Sequence, residues 1–333
     1  MPIKVVINGF GRIGRPTFKE LIKNKNIEVV AINDLTDNQT LAHLLKYDSL
    51  YGIYDKEVKA TDEDIQIDGK KYKSLSEKDP ANLPWKELDV DVVLECTGLF
   101  RTYEDAEKHI KAGAKKVIIS APAKSDNIPT FVPGVNQDKY NPEDNILSMA
   151  SCTTNCLAPI TKVINDNLEI QRAAITTIHS YTSSQNIVDG PHKDLRRGRA
   201  AAINMLPTTT GAATATTKVL PELKGKICGM AVRIPTPVVS ITDLVAQVKK
   251  ETTKEEVNNL FKKAEKELKG ILATQDLPLV STDYIGNTHS AIIDTQSTLV
   301  QDKTLVKVLG WYDNEYGYSC RLAEFAEFIG NKI

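Results

Sequence analysis

A chain of 333 residues, 41% hydrophobic and 26% charged, is long enough to form two domains with separate cores. Its 42 basic and 43 acidic residues give a formal net charge of -1, which argues against a global attraction to nucleic acid or anionic membrane. The five cysteines are too few and too scattered for a disulfide framework. With no apolar stretch of membrane-spanning length and no signal-peptide pattern, we expect a cytoplasmic protein.

The first 150 residues carry the pattern of an α/β domain. Short runs rich in Val and Ile alternate with helical patterns, which predicts a parallel sheet covered on both faces. The predicted strands are residues 3–7, 29–32, 90–95, 117–120 and 146–149. Helices are predicted directly after a glycine-rich turn and over residues 37–50. Asp68-Gly69, within the polar stretch 56–84, predicts an inserted hairpin.

The pattern changes at residue 151, and residues 151–315 are typical of an α+β domain with a mixed or antiparallel sheet. We expect a helix over residues 152–168, a strand over 173–179 and further strands after residue 206. The polar stretch 180–205 lacks apolar periodicity, and loops of that length usually serve a function or contact a partner. A charged amphipathic helix is predicted over 252–269. A C-terminal helix, 316–333, is expected to return to the first domain.

A dinucleotide-binding motif follows the first predicted strand. Gly9, Gly11 and Gly14 open a predicted helix, and Asp34 stands 20 residues beyond Gly14, at the end of the second predicted strand. Gly9 is expected to make the tight turn, Gly11 to let the backbone approach a pyrophosphate, and Gly14 to let the helix pack against the strand. A carboxylate at residue 34 repels a 2′-phosphate, which predicts NAD rather than NADP. The alternative is a structural turn with a surface aspartate.

Cys152 is the strongest candidate nucleophile. It stands where an apolar run ending at Ala150 gives way to a predicted helix, and a helix N-terminus lowers a cysteine pKa through its unpaired N–H groups. The alternative is a buried inert thiol, the commonest fate of a free cysteine. Cys156 lies one helical turn deeper, which argues against a nucleophile. No ligand cluster accompanies the two cysteines, so no metal is expected.

His179 is the candidate base for that thiol. It ends the apolar run 173–178, at the carboxyl end of a predicted strand, where a neighbouring element can present it to Cys152. A neutral imidazole there can accept the thiol proton and later act as an acid toward a substrate oxygen. A structural histidine is the alternative. His43 and His109 lie within helical patterns and are interpreted as structural.

Several residues after the first helix of the second domain are candidates for anion binding. They are Arg197, Arg233 and the hydroxyl-rich runs 180–184 and 208–211. Arginine holds phosphate through paired donors, and hydroxyls or turn amides complete the shell. The alternative is a set of ordinary surface loops. The basic run 193–199 also permits a nucleic-acid patch, but it lacks interleaved aromatics and lies in a near-neutral chain, so that hypothesis ranks lower.

Four segments together closely resemble the phosphorylating glyceraldehyde-3-phosphate dehydrogenases, and the resemblance covers essentially the whole chain. They are INGFGRIGR at residues 7–15, ASCTTNC at 150–156, HKDLRR at 192–197 and WYDNE at 311–315. The resemblance implies a homotetramer of chains with a Rossmann-type NAD-binding domain and an α+β catalytic domain. It also implies oxidation and phosphorylation of glyceraldehyde 3-phosphate to 1,3-bisphosphoglycerate, with reduction of NAD, through a cysteine thiohemiacetal and thioester.

The resemblance assigns roles residue by residue. Cys152 corresponds to the family's nucleophile and His179 to its activating base. The NAD contacts correspond to Arg12, Ile13, Asp34, Lys78, Ser120 and Asn314, the last expected to hold the nicotinamide amide. One phosphate subsite corresponds to Thr182 and Arg233, and the other to Ser151, Thr153, Arg197, Thr210 and Gly211. The loop after residue 180 resembles the loop that lines a neighbouring subunit's cofactor site.

Two other functions are considered. The related erythrose-4-phosphate dehydrogenases use the same thiol chemistry but favour hydrolysis of the thioester, whereas the turn at 208–211 and Arg197 favour phosphate as acceptor. A non-enzymatic NAD- or RNA-binding protein with the same fold is disfavoured by the intact Cys152 and His179. The sequence departs from the family pattern at Pro133, Ser183-Ser184 and Thr214, and none of these removes a catalytic group.

Overall fold

The computed structural model describes residues 1–333 and divides into two compact units. The first comprises Met1–Phe131, Asp138–Ala150 and Ser319–Ile333, and the second comprises Val132–Gln137 and Ser151–Tyr318. None of the helices combines the length and the apolar character needed to cross a membrane.

The first unit contains ten strands and four complete helices. The strands are β1 (Ile3–Asn8), β2 (Ile27–Asn33), β3 (Tyr47–Asp48), β4 (Gly52–Ile53), β5 (Val58–Ala60), β6 (Asp64–Ile67), β7 (Lys70–Leu75), β8 (Val92–Glu95), β9 (Lys116–Ile119) and β10 (Ile146–Ser148). The helices are α1 (Gly14–Leu21), α2 (Asn38–Lys46), α3 (Trp85–Leu88) and α4 (Tyr103–Lys111).

The main sheet of the first unit has the strand order of a Rossmann fold. Six parallel strands lie in the order β7-β2-β1-β8-β9-β10, and β6 and β5 extend the β7 edge in antiparallel pairing. In chain order this is 3-2-1-4-5-6, so the order reverses between β1 and β8. Ligands of open parallel sheets bind at that reversal, beyond the carboxyl ends of the strands.

The apolar runs become buried strands because parallel strands are covered on both faces. Val5, Val6 and Ile7 of β1 have no exposed surface, and Phe18 and Leu21 of α1 pack beneath them in the same core. The expected strands and the hairpin at Asp68-Gly69 are confirmed, although the strand predicted from residue 90 begins at Val92.

The helix predicted over residues 37–50 is too long, because α2 ends at Lys46. Tyr47 takes an extended conformation, and β3 pairs with β4 in a short antiparallel hairpin. The Lys46 ammonium donates to the carbonyls of Tyr54 and Lys56, which holds the returning chain against the end of the helix. Contacts beyond the helix therefore decide where it stops.

The second unit contains the remaining strands and helices. The strands are β11 (Ile170–Ser180), β12 (Leu206–Thr208), β13 (Ile227–Ile234), β14 (Ser240–Val248), β15 (Leu272–Gln275), β16 (Ala291–Asp294), β17 (Leu299–Gln301) and β18 (Leu305–Tyr312). The helices are α5 (Cys152–Leu168), α6 (Ala212–Val219) and α7 (Lys254–Glu267). A last helix, α8 (Tyr316–Gly330), begins in the second unit and ends in the first.

The sheet of the second unit is mixed, as expected for this half of the chain. Its strands lie in the order β12-β13-β11-β14-β18-β16-β15, with β17 on β18. The pairs β11–β13 and β15–β16 are parallel, and the others are antiparallel. Helix α5 lies very close to this sheet, since a Cβ on Gly310 would stand 2.3 Å from Ile160 of the helix.

Helix ends follow local capping chemistry. The Ser151 hydroxyl accepts a hydrogen bond from the Thr154 N–H and so begins α5 at Cys152. Thr253 and Glu256 form a reciprocal capping box that begins α7 at Lys254, two residues after the predicted start. Val257, Phe261 and Ala264 are the buried face of α7, and its charged residues face solvent. The predicted helix there is confirmed with slightly shorter bounds.

Candidate active site

A cavity of about 760 Å³ opens in the first unit where the strand order reverses. The last residues of β1 and β2, Asn8 and Asn33, form its floor. The other lining residues include Gly9, Gly11, Asp34, Lys78, Cys96, Thr97 and Phe100. This is the place in the fold where a parallel sheet binds a nucleotide.

The three glycines of the motif have different surroundings. Gly9 has a φ of 96°, and a Cβ there would stand 2.7 Å from the backbone nitrogen of Thr97. A Cβ on Gly14 would stand 2.1 Å from the Gly9 carbonyl oxygen, so only glycine lets α1 approach β1 this closely. Nothing lies within 4 Å of a Cβ on Gly11. The backbone at Gly11 is therefore open to a ligand, as a bound pyrophosphate requires.

Asp34 is anchored with its carboxylate at the cavity. Its oxygens accept hydrogen bonds from the backbone N–H groups of Phe10, at 2.7 Å, and Thr36, at 3.0 Å. A carboxylate has about four acceptor positions, so two remain for ribose hydroxyls. The fixed negative charge disfavours a 2′-phosphate at the same place.

The other predicted cofactor residues lie in different surroundings. Arg12 forms an ion pair with Asp48 at 2.5 Å and stacks 5.5 Å from the Tyr51 ring. Ile13 is the residue that precedes α1, where the helix N-terminus begins. Lys78 is exposed at the cavity, and Ser120 follows β9 in a half-buried position. Asn314 belongs to the second unit.

In the second unit, the thiol of Cys152 lies 3.5 Å from Nε2 of His179. Cys152 is the first residue of α5, and His179 is the penultimate residue of β11. A sulfur hydrogen bond is longer than one between first-row atoms, so this distance permits proton transfer between the two groups. The two residues that the sequence separates by 27 positions are therefore joined in one site.

The two ring nitrogens of His179 have different neighbours, with Nε2 beside Cys152 and Nδ1 beside Ser180 and Arg233. Nδ1 lies 2.7 Å from the Ser180 carbonyl oxygen, which can only accept, and 2.8 Å from Nη1 of Arg233, which can only donate and which also donates to that carbonyl at 2.7 Å. A carbonyl has two lone pairs and can accept from both donors. The neutral tautomer with its hydrogen on Nδ1, donated to the Ser180 carbonyl, is the one in which Nε2 can accept a proton from Cys152.

Burial sets the protonation of this pair. Burial and, to a smaller extent, the nearby Arg233 charge together lower the pKa of His179 to about 3. Burial also raises the pKa of the Cys152 thiol, against the opposing effects of Arg233 and of the Thr153 N–H. The expected lowering of the cysteine pKa by the helix N-terminus is therefore outweighed by desolvation. A neutral thiol beside a neutral imidazole is the favoured state.

Two arginines lie near the thiol. Arg233 is paired in register with His179 across β11 and β13, and its positive charge acts to lower the pKa of Cys152. Arg197 lies close enough to lower the pKa of Arg233, although burial is the larger cause of that lowering. Arg197 is held by Asp194 at 3.6 Å and donates to the Thr208 hydroxyl at 2.9 Å. Two guanidinium groups near one another favour an anionic ligand.

The remaining predicted phosphate residues surround two helix starts. Ser151 caps α5, and Thr153 lies in its first turn with its hydroxyl 3.0 Å from the Tyr312 hydroxyl. Thr210 accepts a hydrogen bond from the Ala212 N–H, and Gly211 immediately precedes α6. Thr182 stands apart in the loop after β11, where its hydroxyl contacts Ser184 and not Arg233.

Tyr312 is a site residue that sequence reasoning missed. Its hydroxyl lies between the hydroxyls of Thr153, at 3.0 Å, and Thr177, at 2.9 Å. Its ring meets that of His179 edge-on, with centroids 6.0 Å apart. The residue is 2% exposed and ends β18, so an aromatic core residue was the natural interpretation. Its position in the WYDNE segment was the one available signal.

Asn314 is oriented by Ser180, which belongs to one of the hydroxyl-rich runs considered for anion binding, and by Ser240, which the sequence did not single out. Its side-chain oxygen accepts hydrogen bonds from Ser180, at 2.9 Å, and Ser240, at 3.0 Å. Ser240 in turn accepts from the Ser180 backbone N–H, which leaves its own hydrogen for the Asn314 oxygen. The amide nitrogen of Asn314 is consequently the end that remains for a ligand.

The other cysteines and histidines lie in different environments. Cys156 is buried against Gly310, and burial raises its pKa far above the ordinary range. His109 is fully buried, whereas His43 is exposed on α2. No group of three or more His, Cys, Asp or Glu side chains is arranged to hold a metal ion.

Comparisons with known proteins agree with this geometry. Residues 3–103 match the family model described as "Glyceraldehyde 3-phosphate dehydrogenase, NAD binding domain", and residues 151–314 match the model of the C-terminal domain. A glyceraldehyde-3-phosphate dehydrogenase of Geobacillus stearothermophilus is 58% identical, covering 100% of this chain and 99% of the relative. Glyceraldehyde-3-phosphate dehydrogenase 2 of Streptomyces avermitilis is 55% identical over the full length of both chains. The chain belongs to the glyceraldehyde-3-phosphate dehydrogenase family.

Proposed function

We propose that this enzyme oxidises glyceraldehyde 3-phosphate with NAD and transfers the acyl group to inorganic phosphate, giving 1,3-bisphosphoglycerate. The observation that carries this proposal is the contact between Cys152 Sγ and His179 Nε2, 3.5 Å apart, with the Arg233 guanidinium beside the imidazole. A nucleophile, a base and a cation are the groups that covalent oxidation of a phosphorylated aldehyde needs.

NAD is the cofactor that fits the first unit. Gly9, Gly11 and Gly14 would hold the pyrophosphate at the start of α1, and Asp34 would bind the adenosine ribose. Arg12, Ile13, Lys78 and Ser120 are proposed to complete the contacts on this unit. The Asn314 amide nitrogen, oriented by Ser180 and Ser240, is proposed to hold the nicotinamide carboxamide. When bound, NAD supplies a hydride acceptor.

In the first step Cys152 adds to the aldehyde carbon. Its thiol proton passes to Nε2 of His179, and the new C–S bond leaves negative charge on the former carbonyl oxygen. The imidazolium formed at His179 and the Cys152 backbone N–H stabilise that oxygen. Because the imidazole is neutral before the reaction, it is in the correct state to accept the proton.

Nε2 then gives its proton to that oxygen, which completes the thiohemiacetal. When the carbon loses a hydride, for which bound NAD would be the acceptor, Nε2 takes the hydroxyl proton back. The product is a thioester on Cys152. A phosphate oxygen attacks the thioester carbon, and the C–S bond breaks to release the acyl phosphate and restore the sulfur. The departing sulfur takes the proton from Nε2, and the energy of the thioester is kept in the acyl phosphate rather than lost to water.

Two anion subsites are proposed to hold the substrate phosphate and the attacking phosphate. Thr182 and Arg233 contribute to one, and Ser151, Thr153, Arg197, Thr210 and Gly211 contribute to the other. Support comes from the electrostatic effect of Arg197 on Arg233, since two neighbouring cations are costly without an anion. Ser151 and Gly211 lie at helix N-termini, which add N–H donors.

We propose a homotetramer in the cytoplasm. The loop over residues 180–205 exposes five large apolar side chains, an unusual feature for a solvated loop. They are Ile187, Val188, Leu195, Ile203 and Met205. All five cysteines are free thiols, as suits a reducing compartment. Light scattering on the eluted protein should give four times the 36.8 kDa chain mass, and a monomer would contradict this assembly.

The decisive experiment for the activity is NADH formation from glyceraldehyde 3-phosphate with and without inorganic phosphate. We expect sustained turnover only with phosphate, and the Cys152→Ser variant should lose roughly a thousandfold or more of it. Parallel assays with erythrose 4-phosphate compare the two aldehydes. Fast turnover without phosphate would contradict phosphorylation of the thioester, and no turnover at all would contradict an oxidoreductase.

A further inference from the structure

The first unit contains a buried hydrogen-bond network that the proposed mechanism does not use. Its centre is Glu95, the last residue of β8, whose side chain has no exposed surface. One carboxylate oxygen accepts from Asn8 at 2.5 Å and lies 3.2 Å from Nε2 of His109. The other accepts from the Thr97 backbone N–H, at 2.8 Å, and from the Thr97 hydroxyl.

The partner of His109 decides its tautomer. The indole nitrogen of Trp85, which is only a donor, lies 3.0 Å from Nδ1 of His109. Nδ1 must therefore accept, and the hydrogen of the neutral ring lies on Nε2, from which it is donated to Glu95. Four donors are thus directed at the two oxygens of Glu95, and in this tautomer none of them is a cation.

The network ends at the dinucleotide cavity. Asn8 and Thr97 line that cavity, and the Thr97 nitrogen is the atom that a Cβ on Gly9 would meet at 2.7 Å. Asn8 also accepts from Asn33 at 2.7 Å, and Asn33 pairs with the backbone of Glu77, beside Lys78. Glu95 thus holds the first glycine turn on one side and the 77–79 loop on the other.

We infer that Glu95 is a positioning residue of the dinucleotide site, acting through Asn8 and Thr97 rather than by touching the cofactor. This inference rests on the proposed NAD binding. A buried carboxylate without a cation is costly to the fold, and its donors converge on the loop that faces the pyrophosphate turn. In a Glu95→Gln variant the side chain keeps nearly the same shape, but an NH₂ donor replaces one carboxylate oxygen. That NH₂ group faces one pair of the donors, so the hydrogen bonds to Thr97 or to Asn8 are lost.

The test is the Kd of NAD, measured by titration calorimetry on the full-length Glu95→Gln variant. We expect the Kd to rise about tenfold, since hydrogen bonds to a charged group are lost. The rate of Cys152 alkylation without NAD should stay at the wild-type value. Lys116→Met is the matched control, because Lys116 is also buried in this unit and is held by the carbonyls of Pro142 and Asp144 outside the network.

A wild-type Kd in Glu95→Gln, or an equal weakening in Lys116→Met, would overturn the inference while leaving the proposed function intact. If the wild-type protein binds no NAD, both fail together. Should Glu95→Gln not fold, Thr97→Val and Thr97→Ser provide the same comparison. The valine variant should bind NAD more weakly and the serine variant should bind it normally, and equal affinities would refute the role.

Discussion

At the scale of single residues, desolvation keeps the half-buried thiol of Cys152 protonated. Desolvation raises the pKa of Cys152 and lowers that of His179, so neither carries charge until a substrate is present. The reactive thiolate is then generated by proton transfer to Nε2 rather than held in advance. This arrangement limits oxidation and alkylation of the sulfur before a substrate binds, because the thiolate is the reactive form.

His179→Asn should shift the alkylation of Cys152 by iodoacetamide to higher pH. Without an imidazole to accept its proton, the thiol ionises only against the cost of burial, so the midpoint of the rate against pH should rise by about one unit or more. His43→Asn, an exposed histidine on α2, is the control and should leave the profile unchanged. An identical profile in His179→Asn would mean that the 3.5 Å contact does not govern the thiol.

Stability should depend on pH through His179. Its pKa is about 3 in the folded chain and about 6.5 when unfolded, so between these values only the unfolded chain binds the proton. The free energy of unfolding therefore falls as pH drops below about 6.5, by about 2 kcal/mol at pH 5. Urea unfolding near pH 7 and pH 5 should show this loss in the wild type and a smaller loss in His179→Asn. Equal losses of unfolding free energy in the two proteins would mean that a group other than His179 titrates.

At the scale of elements, Gly11 and Gly14, which flank the Arg12-Ile13 pair, differ in the space around their Cα atoms. A Cβ on Gly14 would collide with the Gly9 carbonyl at 2.1 Å, whereas one on Gly11 meets nothing within 4 Å. The start of α1 is therefore constrained by packing at Gly14, whereas the backbone at Gly11 is open. A motif with three identical residues thus separates into a structural part and a binding part.

Gly11→Ala and Gly14→Ala should accordingly fail in different ways. We expect Gly11→Ala to unfold at the wild-type urea concentration and to bind NAD at least about tenfold more weakly, because the new methyl group blocks the backbone approach of the pyrophosphate. Gly14→Ala should lose about 1–3 kcal/mol of stability through overpacking. This assignment of Gly14 to packing and Gly11 to NAD binding is refuted if both variants lose stability equally or if Gly11→Ala binds NAD normally.

Local pattern predicted most elements but not their ends or their contacts. The glycine motif and the hairpin at Asp68-Gly69 were predictable because each depends on a few neighbouring residues. The end of α2 was not, since Lys46 is held by carbonyls eight and ten residues later. Likewise the sequence predicted a lowered pKa for Cys152, whereas burial raises it, and burial depends on how α5 packs against the sheet.

At the scale of the whole molecule, function is divided between two units of different construction. The first is a parallel sheet whose strand order creates the cavity, and the second is a mixed sheet whose register brings His179 beside Arg233. Sequence patterns indicated both classes of sheet. They did not reveal Tyr312 or Ser240, or the contact of Ser180 with Asn314, because these contacts join segments that lie far apart in the chain.

Bound NAD should raise the free energy of unfolding of the whole chain by an amount set by the NAD concentration relative to its Kd. A ligand that binds only the folded state adds about 2.7 kcal/mol at a concentration one hundred times its Kd. Calorimetric scans should therefore show the unfolding transition moving upward with added NAD in the wild type and equally in Cys152→Ser, whose cavity is unchanged. Gly11→Ala should show little movement at the same NAD concentration. An upward shift of the same size in Gly11→Ala would mean that NAD binds elsewhere, and no shift in the wild type would remove the cofactor from the first unit.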